Sequence, residues 1–359
     1  MHKLRVRTVV LATIAALTPT ACGGGDGGLV GPGAPISVMT RNLYLGTDFT
    51  DLAFETDPAQ IPIIAGELWG NVQASDFPSR AKLIAAEIVA TAPDLVGMQE
   101  VTLYRRQMPG DTLTGMVTPN ATEVVIDFLA LVMAEIDALG GGYRVAGEAS
   151  NADTELPVDA AGQSFDLRVT DRDVILARDG VDTSSFVVTP FTTNTTFMAG
   201  GAAGFPVVLQ RSASRVDAVV GEAQFTFGNA HLEISSLLAT QKAQAQEMVD
   251  TFTAITPFVL VGDFNSAPGK SSYPIITTTF KDAHPAVNGS AGGFTCCQAS
   301  DLRNPTSQAN ERIDDVLTRG RFRVTDVHVT GSDPATGRTP GGLWASDHFG
   351  TAATLELVP

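Results

Sequence analysis

The stretch Phe258-Val-Leu-Val-Gly-Asp-Phe-Asn-Ser266 constrains the fold of this chain more than any other. Phe258 to Val261 are apolar and in part β-branched, so they read as a buried strand, and Gly262 ends it. Asp263 and Asn265 are thereby delivered to the strand's C-terminal edge, where ligands bind on layered α/β sheets. Two apart in extended chain, their side chains point the same way, one an anionic acceptor and the other a neutral amide donor. The pair suits a phosphate and a hard cation. The plainer reading is a polar turn after a strand, and the stretch alone leaves both open.

Other segments repeat the pattern of a strand that ends on a polar residue. Ile36-Ser-Val-Met-Thr-Arg-Asn42 alternates apolar and polar residues and ends at Asn42. Ser79 to Ala92 carries Ala81, Leu83, Ile84, Ile88 and Val89 at helical spacing before Pro93 stops it. Asp94-Leu-Val-Gly-Met-Gln-Glu100 is then a second buried strand, which puts Asn42 and Glu100 at matching ends. Thr122 to Leu139 is predicted as a second amphipathic helix, Tyr143 to Ala149 as a strand and 150–163 as a loop. Asp171 to Arg178 enters another strand, in which Arg172 faces a salt bridge or a phosphate and Arg178 a salt bridge. Thr192 to Gly204, rich in Gly and Thr, reads as a loop suited to a lid.

Ser214–Val220 and Glu222–Leu232 form a hairpin about Gly221, with His231 near its end. A histidine there is a satisfied core group or a catalyst, and the helix 239–255 followed by the Asp263 strand brings it beside the other strand ends. Glu311-Arg-Ile-Asp-Asp-Val-Leu317 buries Asp314 in an apolar context, where an unpaired charge is costly, so Asp314 requires a partner. Ser346-Asp347-His348 sets an acid beside an imidazole ahead of a final strand, Thr351 to Val358. His284 and His328 lack comparable surroundings and read as structural.

Taken in order, Asn42, Pro-Asp-Leu-Val-Gly-Met-Gln-Glu100, His231-Leu, Gly262-Asp263-Phe-Asn265, Arg312-Ile-Asp314 and Ser346-Asp347-His348 resemble the endonuclease/exonuclease/phosphatase superfamily over roughly 36–358. The resemblance implies a four-layer α/β sandwich, two mixed β-sheets face to face with helices on the outside. It implies a catalytic Mg²⁺ (or Mn²⁺) held by Glu100 with Asn42 and Asp347. Asp263 and Asn265 would hold the attacking water and a phosphoryl oxygen. His348 would be the general base or steady the phosphate's charge, with Asp314 fixing its tautomer. His231 would protonate the leaving oxygen or bind phosphate. A second histidine belongs to the deoxyribonuclease and sphingomyelinase branches, and exonuclease III-like repair enzymes generally do without one.

The N-terminus and the overall charge narrow the setting. Lys3, Arg5 and Arg7, the apolar run Val9–Leu17 and Thr20-Ala21-Cys22 form an export leader over 1–22. Cleavage before Cys22, followed by a glycine-rich tether over 23–35, resembles a bacterial lipoprotein, although Pro19 stands where that pattern has an aliphatic residue. The expected protein is an exported monomer of one catalytic domain, 36–359, held at a membrane through lipid on Cys22 or else plainly secreted. Cys296 and Cys297 read as a vicinal disulfide or two free thiols, and a lone doublet supplies too few ligands at the wrong spacing for zinc. Twenty-three Lys and Arg against 39 Asp and Glu give a formal charge of −16, which opposes sequence-independent DNA binding. The expected function is phosphoester hydrolysis, phosphodiesters first, with nucleic acid, phospholipid or a small phosphodiester as substrate. The alternatives are a phosphomonoesterase of the inositol-phosphatase type and a non-catalytic tethered binding protein.

Overall fold

The computed structural model describes residues 34–358 with the exception of 117. The expected leader, Cys22 and the tether up to 33 lie outside the described residues. No helix among the described residues is long and apolar enough to cross a membrane.

Alternation along the strands generates the layers. In Ile36–Asn42, Val38 faces the second sheet while Met39 faces a helical layer; in Phe258–Asp263, Val259 and Val261 turn inward while Phe258 and Leu260 turn out. Each such strand must therefore be covered on both faces, and it is. One sheet runs Phe322–Thr330, Gly350–Leu357, Ile36–Asn42, Leu95–Gln99, Gln163–Arg178, Leu103–Gln107, Glu123–Asp127, with Tyr143–Ala160 also paired to Gln163–Arg178. The other runs Lys281–Asp282, Asp314–Arg319, Phe258–Asp263, Ala223–His231, Ser212–Val220, Asp182–Pro190. Helices Ile61–Ala74, Phe77–Thr91 and Phe128–Ala138 cover the outside of the first sheet and Leu238–Phe252 that of the second. This is the four-layer sandwich expected from the sequence. At Gly97 the sheets approach so closely that a Cβ would meet the side chains of Val261 and Asn229.

The outer packing of the Asp263 strand is aromatic. Phe258 meets Phe252 and Phe280 edge to face, with centroids 5.0 and 5.6 Å apart, and such a pair contributes about 1 kcal/mol beyond its buried area. That packing fixes the strand that carries the first motif. Cross-strand register then sets His231 opposite Asp263 and Asp263 opposite Asp314, while Asn42 pairs with Gln99, the residue before Glu100.

Three local expectations are corrected. Residues 123–127, Glu-Val-Val-Ile-Asp, form an edge strand, because β-branched residues favour extended chain, and Asp127 then caps the helix by accepting from the Leu129 and Ala130 amides. The predicted loop 150–163 is the far half of an 18-residue strand, Tyr143–Ala160, that turns at 161–162 into Gln163–Arg178. It lies at the edge of the sheet, with Ser150, Asp153 and Asp159 exposed and Leu156, Pro157 and Val158 buried, so polarity there signals exposure and not irregular chain. The predicted loop 192–204 contains strand Thr195–Ala199, paired with Phe205–Leu209.

Candidate active site

His348 and Asp314 form the tightest part of the site. Nδ1 of His348 lies 2.9 Å from Oδ2 of Asp314, and both side chains are buried. The second carboxylate oxygen of Asp314 is buried without a hydrogen-bond partner among the described residues. Asp263 Oδ2 stands 3.8 Å from the same ring nitrogen, and Asp347 Oδ1 lies 4.0 Å from Nε2. Burial opposes charge on the ring, but Asp314, Asp347 and Asp263 outweigh it, so His348 keeps its proton well above the ordinary histidine range. Burial, with Asp314 adding repulsion, pushes Asp263 up to about 7, against the pull of His348. Burial pushes Asp347 up to about 6, with Glu100 adding to it against the pull of His348.

Asn42 ties this group to Glu100. Its amide nitrogen donates to Glu100 Oε1 and to Asp263 Oδ2, both at 3.1 Å, while its oxygen accepts from the Tyr44 amide at 2.8 Å. So placed, Asn42 bridges two carboxylates and keeps one lone pair for a cation. Glu100 Oε2 accepts from the Leu45 amide. Asn265 donates its backbone N–H to Asp263 Oδ1 and its side-chain amide to the Leu232 carbonyl. Glu100 and Asn265 hold left-handed backbone, φ +57° and +49°, a conformation that costs on the order of 1 kcal/mol or more for glutamate and is tolerated by asparagine.

The donor set fits a hard divalent cation. Carboxylates of Glu100, Asp263, Asp314 and Asp347 crowd one edge, two of them held up in pKa by burial and one with an orphaned oxygen, and oxygen donors of this kind suit Mg²⁺ or Mn²⁺. Ligand atoms of Asp263, Asp314 and His348 lie within 4.8 Å of one another, beside the Asn42–Glu100 contact.

His231 is held differently from His348. Arg211 Nη1 lies 2.8 Å from His231 Nδ1, and a guanidinium only donates, so Nδ1 accepts and the ring proton sits on Nε2, 3.6 Å from Asp263 Oδ2. Burial, then Arg211 and His348, push its pKa well below the usual value. Of the two roles that the resemblance implies, a neutral ring can perform one, donation of a hydrogen bond to a phosphoryl oxygen. Arg211 is itself held by Asp171 at 3.0 Å. Replacing Arg211 by methionine is expected to abolish the fixed Nε2–H tautomer in ¹⁵N NMR and to slow turnover by about ten- to a hundredfold. An unchanged tautomer would mean that Arg211 only fills space.

The comparisons with known proteins follow this geometry. The model of the endonuclease/exonuclease/phosphatase family matches residues 64–348. The chain belongs to that family. No curated protein matches. Solved structures with the family fold include an endonuclease/exonuclease/phosphatase from Beutenbergia cavernae, 24% identical, covering 90% of this chain and 72% of that one, TM-score 0.55. A mannosyl-6-phosphatase from Bacteroides thetaiotaomicron is 18% identical over 89% and 99%, TM-score 0.53. Truncated TDP2 from Caenorhabditis elegans is 17% identical over 90% and 97%, TM-score 0.50.

This family member also relies on residues that its sequence motifs omit. Arg80, wholly buried, donates to the carbonyls of Leu43, Tyr44 and Ala345, clamping the loop after Asn42 to the one before Asp347. Arg41 donates to the carbonyls of Asn42 and His348 and pairs with Glu87. A signal for Arg80 exists, since Phe77, Arg80, Ala81, Ile84 and Ile88 share one helix face, and a charge on an apolar face requires partners. Arg211 is not legible from the hairpin register, since Ala213 pairs with Ala230 and sets Ser212, not Arg211, level with His231. Arg172 is committed to the Val101 carbonyl and to Asp127 and Glu148, and Arg178 to Asp94. His284 and His328 lie outside the site, and His328 is a surface group paired with Asp326.

Proposed function

We propose that this protein hydrolyses phosphodiesters with the help of a divalent cation. The observation that carries this reading is the arrangement of Asp263, Asp314 and His348 within 4.8 Å of one another, bridged through Asn42 to Glu100. The cation, Mg²⁺ or Mn²⁺, would be held by Glu100 and Asp347 with help from Asn42, and when bound it neutralises charge on phosphoryl oxygens. His348, fixed by Asp314 and charged, donates toward the phosphate. Asp263, poised near neutrality at about 7, is the group able to take a proton from an attacking water, and Asn265 orders its carboxylate. His231 donates from Nε2.

The preference for a diester rests on charge. A monoester dianion, such as the sugar phosphate named for the Bacteroides neighbour, calls for free guanidinium or ammonium groups. Here Arg41 and Arg80 serve backbone carbonyls, and Arg172 and Arg211 serve carboxylates. A singly charged diester suits so acidic a site better. On bis-p-nitrophenyl phosphate, p-nitrophenyl phosphate, DNA, RNA and sphingomyelin, the expected order puts a diester first. Preference for the monoester would reverse it.

Hydrolysis is expected to vanish in EDTA and return with Mg²⁺ or Mn²⁺; turnover that persists in chelator removes the cation from the mechanism. Glu100→Gln is expected to lose activity and metal affinity together, read by calorimetry. We also propose that 1–22 directs export and that Cys22 carries the lipid that holds the protein at a membrane. Mass spectrometry of the mature N-terminus tests this: an unmodified residue there refutes lipidation and leaves the catalytic reading intact.

A further inference from the structure

The doublet Cys296-Cys297 lies against the active site. The two sulfurs are joined as a disulfide, and they and a ring nitrogen of His348 fall within 4.8 Å of one another. Cys296 is buried and Cys297 exposed, so the pair is open to solvent on one side and to the catalytic histidine on the other. The loop is stitched on both sides. Cys296 pairs with Glu311 and with His348 in short β-bridges; the Gln298 amide donates to the Asp347 carbonyl, and the Phe349 amide to that of Thr295. The third soft ligand that the doublet lacks in sequence is thus supplied by the fold, on a frame shared with Asp347 and His348.

We propose that the reduced doublet and His348 form a binding site for a thiophilic divalent cation, zinc, and that its occupation shuts off hydrolysis. Two sulfurs and one imidazole nitrogen with an open fourth position are a donor set that zinc accepts, whereas Mg²⁺ takes oxygen ligands. Opening the site takes two electrons. One thiolate of an external dithiol attacks a cysteine sulfur, the S–S bond breaks, and the mixed disulfide is resolved by the second thiol, leaving two cysteine thiols and an oxidised, cyclic dithiol. Zinc then displaces three protons, one from each thiol and one from the charged His348 ring, and takes the freed ring nitrogen as third ligand. With the disulfide intact neither sulfur is a thiolate, and the site is closed. The inhibitory part rests on His348 being catalytic; the binding part does not.

The test uses the folded protein, oxidised or reduced with dithiol that is then removed without air, in saturating Mg²⁺. Titration with Co²⁺ as a spectroscopic stand-in is expected to give thiolate-to-cobalt charge-transfer absorption in the reduced protein alone. Zinc at about tenfold over its dissociation constant is expected to cut turnover of the reduced protein about tenfold. The oxidised protein and the Cys296→Ser/Cys297→Ser protein are expected to keep their basal turnover. His348→Gln is expected to weaken cobalt binding by reduced protein at least tenfold, which reads the third ligand without any assay of hydrolysis. Absence of the charge-transfer band overturns the proposal, as does equal zinc inhibition of all three forms, the mark of zinc replacing the catalytic cation. Loss of the thermal melt on reduction also overturns it, since the site needs the fold that presents His348. A band with no hydrolysis by any form would keep the zinc site and refute the catalytic reading.

Discussion

Asp314→Asn is expected to lower kcat by about a hundredfold to ten-thousandfold and to lower stability as well, because it removes the carboxylate that sustains the buried charge on His348. The rate falls because the carboxylate is what holds a proton on His348 and fixes its ring, and a positioned acid or base contributes 10²–10⁴. The loss of stability is moderated because asparagine keeps the shape and one acceptor, and the imidazole can shed its proton once the carboxylate is gone. His348→Ala reaches the same low rate but strands Asp314 with no partner, at a cost on the order of 3–5 kcal/mol. The two substitutions combined cost far less than the product of their separate effects on rate, since partners that act as a unit are not additive. A double mutant whose losses multiply would show that His348 works without Asp314.

Asp263→Asn separates activity from stability. Turnover is expected to fall by about a hundredfold or more, since the group next to His231 and His348 can no longer take a proton. The folded protein holds the Asp263 carboxyl protonated up to about 7, from an ordinary value of 3.8. A folded pKa above the unfolded one gives stability that is complete below about 4 and is lost as pH rises through about 7. Wild type, free of metal, therefore loses on the order of 4 kcal/mol relative to Asp263→Asn between those pH values. Urea midpoints of both proteins in EDTA across that range read the effect directly, and parallel curves would mean that Asp263 ionises in the fold without penalty. Added Mg²⁺ is expected to narrow the gap by satisfying the carboxylates.

Much of this site was legible because each motif residue stands at a strand end, and strand ends are the most readable points of a layered sheet. Asn42, Glu100, His231, Asp263 and Asp314 follow apolar runs or open them, and pairing of those runs lets Asn42 hydrogen-bond both Glu100 and Asp263, while Asp314 meets His348. Residues that act across the fold left weaker traces. Arg80 lies in a helix far from any motif, and only its place on an apolar face betrays it. The protonation states of the histidines were not legible, because two imidazoles in similar motifs are driven in opposite directions, His348 by three carboxylates and His231 by burial beside Arg211. The far half of Tyr143–Ala160, from 150 on, was missed for another reason: an edge strand with exposed polar residues has the composition of a loop.

The strand Ile36–Asn42 lies between Leu95–Gln99 and Gly350–Leu357, and Arg41 reaches the carbonyl of His348 across 307 residues of chain. During synthesis, then, the ribosome releases Asn42 and Glu100 long before the partners that make them useful, and every intermediate length is chemically silent. A chain cut ahead of Ser346 would be an inert scaffold with one vacant seam beside its first strand. Supplied separately, a peptide spanning Ser346 to Leu357 would fit that seam and bring Asp347 and His348 with it, so that activity could be assembled from two inactive pieces.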